Sequence, residues 1–170
     1  MKKFNKRLYP NLKEFFHDLG YVLKRGSKMK TLMGGEVIDN SFRERLMMAV
    51  TEVNGCRYCA YYHSLQALSA GIGSDELAQI SEMSFESSPE EQRSALLYAQ
   101  HWAESNAHPD PDAWECMQDS YSSEELEMIE LSLHVIRMGN LMGNLADYLL
   151  FRLSFGRADI YSAPKFGKTP

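Results

Sequence analysis

Residues 122–155 read SSEELEMIELSLHVIRMGNLMGNLADYLLFRLSF, and the spacing of apolar side chains in this stretch decides the fold class. Leu126, Ile129, Leu133, Ile136, Leu141, Leu145 and Leu149 recur near a 3.6-residue period and run toward Phe155, the pattern of an amphipathic helix rather than a strand. Ser122 followed at the third position by Glu125 supplies a capping box, in which hydroxyl and carboxylate satisfy backbone N–H groups that a helix start leaves open.

The same punctuation recurs upstream. Gly34-Gly35 closes a first helical region, and Ser41 opens another, with Glu44 placed to complete a capping box. Asn54-Gly55 breaks the chain before a helix expected from Arg57 to Ala70, which Gly71 and Gly73 end. Ser74 caps a short helix. Ser88-Pro89-Glu90-Glu91 combines an N-cap, proline at the first helical position and a returning glutamate, and Asp110-Pro111 starts a further helix. No alternating strand pattern competes. The expectation is an all-α bundle with short connections and a frayed, polar tail after Ser162.

At 170 residues, with 44% hydrophobic and 24% charged content, the chain fits one domain over 1–170. Its core is expected at about 35–155, preceded by a basic helical extension over 1–33. Nine of the 18 Lys and Arg lie in residues 1–30, against only Glu14 and Asp18. Within this segment Leu8, Leu12, Phe15, Phe16, Leu19, Val22 and Leu23 form an apolar stripe, expected to pack on the domain or on a neighbouring subunit rather than on nucleic acid. Met1-Lys2-Lys3-Phe4-Asn5-Lys6-Arg7 begins like a secretion signal, but no apolar region follows before Pro10, and nowhere do 18 uninterrupted apolar residues occur. The expectation is a cytoplasmic protein that engages no membrane. There is no internal repeat, phosphate-binding loop or dinucleotide fingerprint.

Chemistry concentrates in Asn54-Gly55-Cys56-Arg57-Tyr58-Cys59-Ala60-Tyr61-Tyr62-His63, which holds two of the three cysteines. On a helix, residues three and four apart are neighbours, so Cys56, Cys59 and His63 share a face, with Cys56 at the N-terminal end where the dipole favours a thiolate. The helix end is not sufficient by itself. A thiol of pKa ~8.5 is about 3% ionised at pH 7, and lowering that value to ~6.5 takes roughly 2.7 kcal/mol, whereas a helix terminus contributes about 0.3–1 kcal/mol. His63 is the proton acceptor that makes up the difference. Glu44 is the candidate carboxylate behind it, with Glu52 as the rival nearer in sequence. Arg57 is read as a thiolate-stabilising cation or a solvated one. A tetrahedral zinc site on Cys56, Cys59, His63 and a carboxylate is the competing chemistry, although no second Cys or His pair accompanies it. Cys116, in Trp114-Glu115-Cys116-Met117, is expected to be a buried small side chain, and His17, His101, His108 and His134 have no partner pattern. Asn140 and Asn144 are expected to hydrogen-bond across a subunit interface or into the site.

A glutamate twelve residues ahead of Asn-Gly-Cys-x-Tyr-Cys-x-x-x-His resembles the alkylhydroperoxidase D-like branch of the carboxymuconolactone decarboxylase family. The resemblance is specific from Glu44 to Gly71 and extends weakly over about 35–155. It implies an all-α bundle that assembles as trimers or hexamers, and a thiol-dependent peroxidase or disulfide reductase with no bound organic cofactor and no metal. By position, Cys59 is the thiol oxidised to sulfenic acid, Cys56 its partner in the disulfide, and His63 with Glu44 the proton relay. A small hydroperoxide is then the substrate, and a dithiol or redoxin the reductant. The best-studied member has a histidine directly before its second cysteine where this chain has Tyr58, a phenol in place of one relay group. The lactone decarboxylation in the family's name does not need a cysteine pair, which disfavours that activity here. Thioredoxin-type architecture is disfavoured too, because no βαβ pattern surrounds the motif.

Overall fold

The computed structural model describes residues 3–162; the tail expected after Ser162 lies outside them. The described residues form eight α-helices and a 3-10 turn, and no strand. In chain order they are α1 Leu12–Lys24, the turn Gly26–Lys28, α2 Met29–Gly34, α3 Asn40–Asn54, α4 Arg57–Ser69, α5 Ser74–Ser81, α6 Glu90–Glu104, α7 Pro111–Ser120 and α8 Ser123–Leu153. The fold is all-α, as the periodicity predicts. No helix among the described residues is long and apolar enough to cross a membrane.

Helix α3 is the centre of the packing. Every residue from Phe42 to Thr51 is buried, so α3 has no solvent face and must be surrounded. Leu46, Met48, Ala49 and Val50 meet Leu96, Ala99 and Trp102 of α6 and Met128, Ile129, Leu131 and Leu133 of α8 in one apolar cluster. Burying three consecutive charged residues, Arg43, Glu44 and Arg45, is tolerable only because each is paired. Arg45 makes a bidentate contact with Glu76 at 2.6 and 3.1 Å, tying α3 to α5. Arg43 donates to the carbonyls of Leu32 and Met33, at 3.0 and 3.3 Å, in the last turn of α2.

Several caps differ from expectation. Helix α3 starts two residues early, and its N-cap is Asp39, whose side chain accepts the Phe42 N–H at 2.7 Å. Ser41 is already inside the helix and donates to Asp39. No capping box forms there, and Glu44 is released for another task. Ser74 is the first residue of α5 rather than its cap. Pro89, not Ser88, stands at the N-cap position of α6, because the Ser88 hydroxyl donates to Glu76 at 2.8 Å. The capping box at Ser122 and Glu125 and the proline opening α7 form as read. Cys116 is exposed, contrary to its expected burial, since α7 turns Met117 rather than Cys116 inward.

The amino-terminal segment docks by charge and by part of its apolar stripe: Leu8, Phe15, Leu19 and Val22 are half-buried, and Val22 packs against the core. Asp18 is the buried residue of α1, while Leu12, Phe16 and Leu23 are 74%, 61% and 70% exposed. Asp18 accepts from the Tyr9 hydroxyl at 2.7 Å, His134 Nδ1 at 2.8 Å and Arg137 Nη1 at 2.5 Å. His134, expected to be unpaired, also stacks on Tyr21 with ring centres 3.9 Å apart. His17, Asp18 and His134 bring metal-ligand atoms within 4.8 Å of one another, but the Asp18 oxygens are spent on these donors and the Arg137 cation sits beside them. Burial pushes the Asp18 carboxyl up, yet the bonds from His134, Tyr9 and Arg137 outweigh it and hold the group below its ordinary value of 3.8.

A carboxylate held low stabilises the fold at any pH above its ordinary value and loses that contribution as pH falls through the depressed value. Thermal melts between pH 2 and 7 should therefore show a contribution from Asp18 that is present above its ordinary value of 3.8 and declines progressively as pH falls from there toward the depressed value. Asp18→Ala should cost about 3–5 kcal/mol in denaturant melts, because Arg137 is left buried without its partner. A change within ~0.5 kcal/mol, as for an ordinary surface residue, would show that the cluster does not hold α1 in place.

Candidate active site

The Asn54-Gly55 break sets the direction of α4. Gly55 adopts φ +71°, a left-handed conformation that costs a residue with a side chain far more than glycine. Its N–H closes α3 on the Thr51 carbonyl at 2.8 Å. Cys56 follows as the N-cap of α4, and its sulfur accepts the Cys59 N–H at 3.3 Å. Cys56 and Cys59 form a disulfide with Cα atoms 5.3 Å apart. Cys56 is 1% exposed, whereas Cys59 is half-buried.

Helix α8 passes directly beneath this turn. A Cβ at Gly143 would lie 2.8 Å from the Cys56 sulfur, 3.7 Å from the Tyr58 ring and 3.9 Å from the Cys59 sulfur. Asn140, a turn before, and Asn144, the next residue, lock the register. The Asn140 amide donates to Thr51 at 3.1 Å and its oxygen accepts from Asn54 at 3.2 Å. The Asn144 amide donates to the Asn54 carbonyl at 2.7 Å and the Arg7 carbonyl at 2.9 Å. Both asparagines thus serve the site, and they hold the chain break rather than face outward.

One turn along α4, His63 Nδ1 lies 2.7 Å from Glu44 Oε2. The other carboxylate oxygen of Glu44 accepts from Arg43 Nη2 at 2.9 Å and Nε at 3.2 Å. Burial raises the Glu44 carboxyl, but its bonds with His63 and Arg43 prevail and keep it below its ordinary range. It is therefore a carboxylate near neutral pH. A carboxylate facing Nδ1 selects the Nδ1–H tautomer and leaves Nε2 as the basic nitrogen. Glu52, the rival, does not reach His63; it lines a different cavity, beside Cys56, and burial holds its carboxyl above the ordinary range.

Two cavities flank the cysteine turn. One, of about 430 Å³, brings Cys59, His63 and Glu44 together with Met33, Met47 and Ile136. The other, of about 750 Å³, lies between the amino-terminal segment and the α3–α4 corner, with Glu52, Cys56 and Tyr61 in its wall. All four residues singled out from the sequence, Cys56, Cys59, His63 and Glu44, therefore meet at one place. For a metal the donor set is poorly arranged, since the two sulfurs are joined to each other and His63 Nδ1 is committed to Glu44.

Residues 27–100, from the 3-10 turn into α6, match the sequence model of the Carboxymuconolactone decarboxylase family. The chain is similar to this family over that segment, somewhat under half of its length. Among solved structures, a cysteine-to-alanine variant of the debrominase Bmp8 in complex with 2,3,4-tribromopyrrole superposes with a TM-score of 0.60 at 19% identity, over 97% of this chain and 95% of that chain. At that identity the likeness is one of fold. No curated protein sequence matches the chain significantly. Glu44, Cys56, Cys59 and His63 all fall within the matched segment, while Gly143 and the asparagines of α8 lie beyond it.

Gly143 carried no sequence signal, because a glycine in a long amphipathic helix is indistinguishable from chance until the element it touches is known. Gly143→Ala should force the Cys56 sulfur or α8 to move, at about 1–3 kcal/mol by the usual cost of overpacking. Thermal melts with thiol titration test this. An unchanged melt with normal disulfide formation would mean that α8 does not set the position of Cys56.

Proposed function

We propose that the chain is a thiol oxidoreductase that reduces hydroperoxides through Cys56 and Cys59. The observation that carries this reading is the Cys-x-x-Cys pair at the start of α4, whose Cys59 shares a cavity wall with a carboxylate-backed histidine one turn on. An unperturbed cysteine thiol is mostly protonated at neutral pH, and the His63–Glu44 pair supplies what the helix end lacks.

The cycle begins from the reduced pair. His63 Nε2 takes the Cys59 proton, and the thiolate attacks the terminal oxygen of the hydroperoxide. The O–O bond breaks, the alcohol departs with the proton returned by the imidazolium, and Cys59 becomes a sulfenic acid. The Cys56 thiol then attacks the sulfenic sulfur, releasing water and forming the disulfide. Two electrons from a small dithiol or a redoxin, delivered by thiol–disulfide exchange, restore both thiols. Glu44 fixes the imidazole and balances its positive form, with Arg43 orienting Glu44 in turn. The apolar side chains Met33, Met47 and Ile136 suit an organic hydroperoxide.

Cys59→Ser should abolish hydroperoxide consumption. Cys56→Ser should leave a sulfenic acid on Cys59 that a dimedone probe captures. Loss of two thiols per chain after one equivalent of hydroperoxide, with mass spectrometry locating a Cys56–Cys59 bond, is the expected wild-type result; thiols that do not react would overturn the assignment. Glu44→Gln removes the charge behind the imidazole and should lower the rate about 10²–10⁴-fold, the range of general acid–base contributions.

Exposed Leu12 of α1 and exposed Met142 and Leu145 of α8 line one apolar groove, and a grouped apolar patch of this kind supports self-association into a homo-oligomer. Sedimentation equilibrium should return a trimer or hexamer, and a monomer at micromolar concentration would overturn this.

A further inference from the structure

Arg57 and Tyr58, the two residues between the cysteines, are held by a single carboxylate. Asp147 of α8 is fully buried and stands one helical turn beyond Gly143, on which both sulfurs rest. Its Oδ1 accepts from Arg57 Nη2 at 2.9 Å and from the Tyr58 hydroxyl at 3.0 Å. Its Oδ2 accepts from Arg57 Nε at 3.2 Å and from Lys6 Nζ at 2.6 Å. The Lys6 side chain is only 5% exposed, so this lysine of the basic amino-terminal segment is not a solvated surface charge. Arg57 is not one either, because Nη1 donates to the carbonyls of Asp159 and Ser162, at 3.0 and 3.1 Å.

We propose that Lys6 and Asp147 set the reduction potential of the Cys56–Cys59 pair, Lys6 by favouring the thiolate form and Asp147 by opposing it while it anchors Arg57 and Tyr58. This role rests on the redox reading of the pair. Reduction transfers two electrons from a dithiol, breaks the S–S bond, and leaves one cysteine as thiol and the other substantially as thiolate, so positive charge nearby favours the reduced state. Lys6 and Arg57 supply two positive charges on this flank and Asp147 one negative, with Arg7 and Glu52 in the wall of the cavity they share with Cys56; Arg43, Glu44 and His63 occupy the other flank. A unit charge about 8 Å from a thiolate, at an effective dielectric of ~20, changes its ionisation by about tenfold or more. The amino-terminal segment, outside the family match, is thereby part of the active site.

The two roles predict shifts of opposite sign, which a merely structural role does not. The full-length chain is equilibrated with mixtures of reduced and oxidised dithiothreitol, the thiols are trapped by alkylation, and the reduced fraction is read by mass spectrometry. Asp147→Asn should move the equilibrium toward the dithiol by about tenfold, roughly 30 mV for this two-electron couple. Lys6→Met should move it several-fold toward the disulfide, and Lys6→Arg should restore the wild-type ratio. Circular dichroism melts establish which variants fold; if Asp147→Asn does not, the contrast between Lys6→Met and Lys6→Arg decides. Shifts in the same direction, or none, would overturn the proposal while leaving the redox pair intact. A wild-type disulfide that does not exchange with the dithiol would overturn the redox reading, and this role with it.

Discussion

The sulfur of Cys56 occupies the space where a side chain at position 143 would stand, and the arrangement of the molecule around its cysteines follows from that contact. Because α8 has no side chain there, the first turn of α4 can lie against its backbone. Close approach of two helices brings their polar groups within reach of each other, and Asn140 and Asn144 convert that proximity into four hydrogen bonds to α3, to the chain break and to the amino-terminal segment. A buried amide donor is expensive without partners, so the same bonds that satisfy the amide nitrogens of these asparagines also fix the register between α8 and the cysteine turn.

Two buried carboxylates do the corresponding work for the amino-terminal segment. Asp18 takes hydrogen bonds from Tyr9, His134 and Arg137, and Asp147 takes them from Lys6, Arg57 and Tyr58. Buried ion pairs add little net stability, since desolvation offsets most of the attraction, but they penalise any arrangement that leaves one partner alone. They therefore specify where the segment lies more than they stabilise it. Its apolar residues Leu12, Phe16 and Leu23 remain on the outside, available for association with another chain.

The central helix α3 connects packing to chemistry. It is buried on all sides, so Glu44 is desolvated, and a desolvated carboxylate needs partners: Arg43 on one oxygen and His63 on the other. Arg43 is in turn anchored on the last carbonyls of α2. The histidine is thus oriented through a chain of contacts reaching back to residues of the core, and rigid support of this kind is what positions a proton-transferring group.

The sequence by itself determined the all-α class, the positions of most helices, and the grouping of Cys56, Cys59 and His63, because these depend on local rules: apolar periodicity, glycine breaks and the three- and four-residue offsets of one helix. It also singled out Glu44 through its spacing to the cysteines, although a local rule assigned that residue to a capping box that Asp39 pre-empts. The caps read at Ser74 and Ser88 fall one residue away and that at Ser41 two, since serine and its neighbours compete for the same open N–H groups and tertiary partners such as Glu76 decide the outcome. Only the tertiary structure decided the roles of Gly143, Asp147, Lys6 and Asp18. Each acts on residues some ninety to a hundred and forty positions away, and no periodicity or spacing in one dimension encodes which distant backbone or charge a residue will meet once the helices close on one another.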